Sequence, residues 1–85
     1  MKTKTNIAFN SSEDGIIKII KLDEDNKIYS IDKQVAFVFK QIADNKTYDD
    51  ILSELSVLEA KKTKTELSKF LDSVIKDFKK LGFIE

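Results

Sequence analysis

The stretch at residues 27–43, KIYSIDKQVAFVFKQIA, contains the point at which the hydrophobic pattern of the chain changes. Residues 27–31 have the length of a strand and are rich in side chains that favour β-structure. After Asp32, whose side chain is typical of a helix N-cap, apolar residues recur at helical spacing over residues 33–43. The residues that share this apolar face are Val35, Val38, Phe39 and Ile42. The sequence therefore predicts a strand that leads directly into a helix.

Two more strand patterns precede this stretch. Residues 4–10 form one, and residues 16–22, IIKIIKL, form the other. The spacing of residues 16–22 also fits a helix, but the segment is short and rich in Ile, which favours a strand. It lies between Gly15 and the acidic segment at residues 23–26, which we interpret as a hairpin turn. Three successive strands with short connections predict an antiparallel meander.

Two more helices are predicted after the first, which ends at Asp44 and Asn45. Thr47 is the expected N-cap of a short helix from residue 48 to about residue 56. Thr63, with Glu66 three residues later, matches a capping box and begins a third helix. That helix is predicted to run to Leu81, and its apolar stripe comprises Leu67, Phe70, Leu71, Val74, Ile75, Phe78 and Leu81.

These elements define the expected fold class. Gly82 lies where a glycine commonly ends a helix. No proline and no low-complexity linker interrupts the chain, so we expect residues 1–85 to form a single domain. A three-stranded antiparallel meander followed by three helices predicts an α+β domain that is winged helix-turn-helix-like.

The composition excludes several classes of function. The 85 residues include no Cys and no His, which excludes thiolate and imidazole metal sites as well as Ser-His-Asp catalysis. Only two Gly are present, so the chain has no glycine-rich phosphate loop. The carboxylates cluster in predicted turns and in a first helical turn, where solvation explains them. We expect no enzymatic activity and no cofactor.

Charge and hydropathy limit the partners. The 15 basic residues balance the 15 acidic ones, so no net positive field attracts nucleic acid or anionic lipid. The N-terminal residues lack the apolar run of a secretory signal, and no segment is apolar enough to span a bilayer. We therefore expect a cytoplasmic protein that binds neither nucleic acid nor membrane.

The third helix leaves DNA binding open as an alternative. Lys69, Lys76 and Lys80 share its outward face, and winged-helix domains can place a helix in the major groove. Acidic residues dilute that face, and the chain contains no arginine, the residue best suited to bidentate base contacts. A small winged-helix DNA-binding regulator is therefore the second hypothesis.

The third strand favours peptide binding instead. In a meander it lies at a sheet edge, and residues 27–31 contain no proline that would block pairing. An added peptide strand would gain main-chain hydrogen bonds and direct alternate side chains toward the third helix. Phe70 and Ile75 lie on opposite margins of the apolar stripe of that helix, and one margin is expected to line a groove. Phe37 points away from the apolar face of its own helix, as an exposed aromatic residue would.

The helical half of the chain resembles the PqqD-like family. The order and spacing that carry the resemblance are those of Ile31-Asp32, Ala36, Val38-Phe39, Ile42, Asp44-Asn45, Thr47, Asp50-Ile51 and Leu55. The last helix is similar as well, through Phe70-Leu71, Ile75 and the ending Leu81-Gly82-Phe83-Ile84. Asp32 replaces the usual Asn, and Asn45 the usual Gly, and both substitutions retain the capping and left-handed roles.

The resemblance implies a RiPP recognition element, a small domain that binds the leader of a ribosomally synthesised precursor peptide. Such a peptide chaperone presents the leader to a modifying enzyme, such as a radical SAM protein, or to a leader peptidase. The leader would add to the third strand and lie in a groove against the third helix. The site residues that this implies are Lys27, Ile28, Tyr29, Ser30 and Ile31 for the strand, Phe70, Leu71, Val74 and Ile75 for the groove wall, and Lys69 and Lys76 for acidic leader residues.

The first strand bears on the oligomeric state. A terminal strand such as residues 4–10 can be exchanged between protomers. We expect a monomer, with a strand-exchanged dimer as the alternative.

Overall fold

The fold is seen in a computed structural model that describes residues 1–22 and 27–85. Strands β1 (Ile7–Ser11), β2 (Ile17–Lys21) and β3 (Lys27–Ile31) form an antiparallel sheet in the order β1-β2-β3. Helices α1 (Lys33–Ala43), α2 (Tyr48–Leu58) and α3 (Lys64–Leu81) follow. The predicted α+β fold of three strands and three helices is confirmed. The turn predicted at residues 23–26 lies outside the described residues.

The sheet buries one face against the helices. Ile17 and Ile19 of β2 are buried on this inner face, whereas Lys18 points outward and is exposed. On the outer face, Ile20 lies in register between Ala8 of β1 and Ile28 of β3. This alternation of buried and exposed residues is typical of a strand with one solvated face. The prediction of a strand over residues 16–22 is therefore confirmed, with β2 covering Ile17–Lys21.

The strand β1 begins later than the sequence predicts. Residues 4–6 lie outside β1: the Asn6 carbonyl still accepts a hydrogen bond from the Leu22 N–H, but Thr3 and Lys4 pair with the end of the chain instead. The N–H of Lys4 donates to the Phe83 carbonyl at 2.9 Å, and Thr3 forms an isolated antiparallel bridge with Ile84. This pairing joins segments about 80 residues apart, which local pattern cannot reveal.

The helix ends follow the predicted capping chemistry. The Asp32 carboxylate accepts a hydrogen bond from the Val35 N–H at 3.2 Å, and Asn45 adopts the left-handed conformation at φ 64°. Capping boxes begin both later helices, at Thr47 for α2 and Thr63 for α3. In the first of these, hydrogen bonds from Thr47 lower the pKa of the Asp50 carboxyl. The helix α2 extends to Leu58, two residues past the predicted end.

An aromatic cluster occupies the centre of the core. The Phe39 ring of α1 lies edge-to-face with the Phe78 ring of α3, with centroids 5.7 Å apart. Phe83, just past α3, is fully buried and contacts both of these rings. From the sheet, Phe9 approaches Phe39 at 4.9 Å and Tyr29 approaches Phe83 at 5.2 Å. The cluster therefore connects β1, β3, α1 and α3.

Some predicted faces need correction. In α1, Ala36 is fully buried and Val35 only partly, so the apolar face is rotated slightly from the predicted one. Leu81, predicted within the α3 stripe, is 39% exposed. Beside it Lys21 is only 8% exposed, and its ammonium group donates to the Leu81 carbonyl at 2.9 Å. A cation at a helix C-terminus compensates unpaired carbonyl groups and the helix dipole, which explains how this lysine is buried.

Because Lys21 is buried beside Gly82, we expect alanine to lower the stability more at Gly82 than at Gly15. Gly15 and Gly82 both have positive φ, so alanine at either should destabilise by about 1–2 kcal/mol through backbone strain. A Cβ at Gly82 would also lie 3.0 Å from the ammonium of buried Lys21, whereas at Gly15 it meets only the aliphatic part of Lys33, an exposed side chain. Urea unfolding should show the larger loss for Gly82→Ala; equal losses would contradict this account.

Candidate functional site

The third strand provides the feature of the structure best suited to binding. Among the described residues, β3 has β2 on one side and no strand on the other. It contains neither proline nor a bulge, and its pairing with β2 is continuous from Lys27 to Ile31. An edge of this kind presents backbone donors and acceptors to another extended chain.

The hydrogen bonds of β2 determine which backbone groups of β3 are free to pair. The Leu22 N–H donates to the Asn6 carbonyl, and the Ser12 N–H donates to the Ile16 carbonyl, both at 2.9 Å. Even-numbered residues in and beside β2 therefore bond toward β1. Because successive residues of an antiparallel strand bond to alternate sides, the odd-numbered ones bond toward β3.

The same alternation continues into β3. The odd-numbered residues of β2 pair with Lys27, Tyr29 and Ile31, whose backbone groups are therefore used within the sheet. The N–H and C=O groups of Ile28 and Ser30 consequently point to the open edge. The sequence leaves this parity undecided, and the structure resolves it.

Side chains of β3 lie on two different faces. Tyr29 and Ile31 are half-buried on the inner face, and Tyr29 packs against Phe83. Ile28 is 65% exposed on the outer face, and Ser30 is exposed beside it. A peptide strand paired with β3 would therefore send alternate side chains toward the helical layer and toward solvent.

The predicted groove-wall residues of α3 do not form one surface. Leu71 and Val74 are buried in the core. Phe70 is half-buried and lines a pocket that also involves α1 and α2, whereas Ile75 lines a separate depression beside Met1 and Tyr48. Their positions on opposite margins of the helix agree with the sequence, and no residue of β3 lines either cavity. Peptide contact by any of these residues stays a prediction.

The predicted lysines lie away from these cavities or at their rims. Lys69 is exposed on the solvent face of α3, and Lys76 is exposed where it borders the depression near Ile75. In that depression the Tyr48 hydroxyl donates to the Asp72 carboxylate at 2.7 Å, and this bond raises the pKa of the phenol. This hydrogen bond connects the first residue of α2 with the middle of α3.

Phe37 is the residue whose environment differs most from expectation. It is half-buried rather than exposed, and it lines the same pocket as Phe70, with a volume of about 670 Å³. We call this the Phe37 pocket. The only signal in the sequence was the position of an aromatic residue opposite the apolar face of its helix.

Residues 1–22 and 27–85 contain neither a metal-binding cluster nor a membrane-spanning helix. No three side chains of the metal-ligating types converge there. Likewise, none of the helices in that part of the chain has both the length and the apolarity needed to cross a membrane.

Comparison with known proteins supports the architecture. No family model matches the chain, and no curated protein sequence matches it. A solved structure, that of TbiB1 in complex with the TbiA(beta) leader peptide, is similar with a TM-score of 0.87. The match covers 100% of this chain and 95% of that one at 12% sequence identity. At this identity the likeness shows a shared fold, three antiparallel strands followed by three helices.

The parity of β3 predicts different effects of proline at adjacent positions. Tyr29→Pro removes an N–H used in the sheet and the ring that packs on Phe83, so it should lower stability by about 3 kcal/mol or more. Ser30→Pro removes an N–H at the open edge, where proline is tolerated, and should retain the fold. Circular dichroism melts of both variants test this, and a larger loss for Ser30→Pro would reverse the assigned parity.

Proposed function

We propose that this chain is a non-catalytic peptide chaperone, a RiPP recognition element of the PqqD-like type. It binds the leader of a ribosomally synthesised precursor peptide as an additional strand on β3 and presents it to a modifying enzyme or a leader peptidase. The observation that carries the proposal is the open edge of β3, where Ile28 and Ser30 direct their backbone groups outward. The similar fold of TbiB1, a protein whose structure includes a leader peptide, supports it.

Backbone pairing alone does not account for useful affinity. The N–H and C=O groups of Ile28 and Ser30 offer four hydrogen bonds, each with a net value of about 1 kcal/mol. Association costs about 4–15 kcal/mol in lost translational and rotational freedom. The leader must therefore gain most of its affinity from side chains, which select one leader among many.

The inner face of β3 is the first place for such side chains. Leader residues that lie between the partners of Ile28 and Ser30 point toward the helical layer, beside half-buried Tyr29 and Ile31. We expect apolar leader residues at these alternate positions, because they cover apolar surface that the chain leaves partly exposed. Residues paired with Ile28 and Ser30 face solvent and are less constrained.

A titration distinguishes this function from that of a DNA-binding regulator. Labelled peptides covering the N-terminal halves of short precursor-like reading frames beside this gene would be compared with a labelled DNA duplex, at about 50 and 300 mM salt. We expect one peptide to bind at micromolar concentration or tighter, with little salt dependence, and no DNA binding. Tight DNA binding with a steep salt slope, and no peptide binding, would contradict the proposal.

Strand addition itself is tested at Ser30. Ser30→Pro deletes one outward N–H and places a ring at the paired edge, so peptide affinity should fall at least about tenfold. Ser30→Ala retains the N–H and is the matched control, expected to bind like the wild type. Fluorescence anisotropy with the bound peptide identified above measures both. If folded Ser30→Pro binds normally, the peptide does not pair with β3.

The partner enzyme and the oligomeric state belong to the same proposal. The chain contains no Cys and no His, the residues that most often serve as thiol nucleophile, general base and metal ligand, so the proposal assigns modification of the peptide to a second protein. We expect the chaperone to be monomeric, which leaves the edge of β3 free for the peptide, and light scattering measures this directly.

A further inference from the structure

We propose that the Phe37 pocket is a second subsite for the same peptide and accepts an apolar segment flanked by acidic residues. The inference rests on the proposed function, because it assigns the pocket to the peptide that pairs with β3. It concerns a surface that the strand-addition site does not include, since no residue of β3 lines the pocket.

The floor of the pocket is apolar and is formed by residues from the three helices and from the β1–β2 hairpin. It lies where α1, the end of α2 and the start of α3 meet the turn between β1 and β2, and its volume is about 670 Å³. Its apolar lining includes Ile17, Ala36, Phe37, Leu55, Leu67 and Phe70. Pockets of about 300–1,000 Å³ with such linings are typical of ligand sites, and this one exceeds the volume of a single side chain.

Phe37 and Leu58 leave apolar side-chain surface accessible at the pocket. Phe37 packs against the margin of the core but is only half-buried. Leu58, at the end of α2, also lines the pocket and is 62% exposed. Apolar side chains gathered in a concave surface mark an interaction site more strongly than isolated ones.

The charges around the pocket indicate the chemistry of its occupant. Lys33, Lys40 and Lys62 border it, against a single acidic residue, Glu59. Lys40 also lies 3.9 Å from Asp44, but both side chains are about half exposed, and such pairs contribute little. In a chain of zero net charge, this local excess of positive charge favours an occupant that carries carboxylates.

The spacing of the lysines favours a peptide over a fatty acid. Lys33 and Lys40 are seven residues apart on α1, which places their backbones about 10 Å apart. The two ammonium groups can each pair with a separate carboxylate, and a segment with acidic residues on either side of its apolar side chains supplies two. A fatty acid supplies only one carboxylate.

The pocket is also near the end of the proposed strand site. Ile17, part of its lining, pairs directly with Ile31, the last residue of β3. A strand added antiparallel to β3 has its N-terminal side at Ile31. The segment a few residues N-terminal to the paired strand is therefore the one that reaches the pocket, and the first site raises its effective concentration there.

The test is a selection that needs no known ligand. A displayed library of random peptides of about 16 residues, long enough when extended to cover both sites, is enriched on the wild-type protein. The enriched peptides are then titrated against four variants. Two variants alter the pocket: the double variant Lys33→Glu/Lys40→Glu and the single variant Phe37→Ser. The controls are Lys80→Glu for the charge change and Val57→Ser for the loss of an apolar side chain. Neither control residue lines a cavity, and Val57 is 79% exposed.

The expected result is a specific pattern of loss. Enriched peptides should carry an acidic-apolar segment N-terminal to a strand-forming segment, and each pocket variant should weaken binding about tenfold while the controls change it less than about twofold. The lysine variants involve exposed side chains outside the core, so they remain informative if Phe37→Ser fails to fold.

Three outcomes would overturn the inference. If the peptides bind the pocket variants normally but do not bind Ser30→Pro, the inference of a second subsite is wrong and the proposed function still holds. If no peptide is enriched, both the second subsite and the proposed peptide-binding function are contradicted. If dansyl-undecanoic acid binds at micromolar concentration and the enriched peptides do not displace it, the pocket is a lipid site and the peptide assignment is wrong.

Discussion

The fold depends on the burial of Phe83. This residue follows α3, is fully buried, and contacts Phe39, Phe78 and Tyr29, so one ring joins two helices to the edge strand. Gly82 makes the contact possible, because its left-handed conformation turns the chain out of α3 and back over the core. In a domain this small the core is limited, and the buried residues Phe83 and Ile84 at the end of the chain belong to it.

The same packing bears on β3, the strand of the proposed peptide site. β3 is only five residues long, and its inner side is held by β2 and by the contact of Tyr29 with Phe83. Short edge strands tend to fray, and the aromatic contact opposes this, so β3 is held extended without a peptide bound. Pre-organisation of this kind reduces the entropy lost on binding, which matters most where backbone hydrogen bonds are few.

Local chemistry made most of the fold predictable. The caps at Asp32, Thr47 and Thr63 and the turn at Gly82 each follow from residues close together in sequence, and all are present in the structure. What sequence could not show is the result of distant pairing. The bridge between the chain ends, the buried Lys21 and the pocket around Phe37 all depend on segments brought together only by folding. The edge position of β3 was predictable from the meander, but which of its backbone groups face outward needed the register.

The pairing of the chain ends has a consequence for protein architecture. The Glu85 N–H donates to the Lys2 carbonyl at 2.9 Å, next to the bridge of Thr3 with Ile84, so the described chain starts and finishes at one point on its surface. Domains with adjacent ends can be inserted into a single loop of a larger protein without stretching either connection. This fold is therefore compatible with circular permutation and with insertion into a larger protein; under the proposed function, insertion into an enzyme would let a tether replace diffusion in bringing a bound peptide to a catalytic centre.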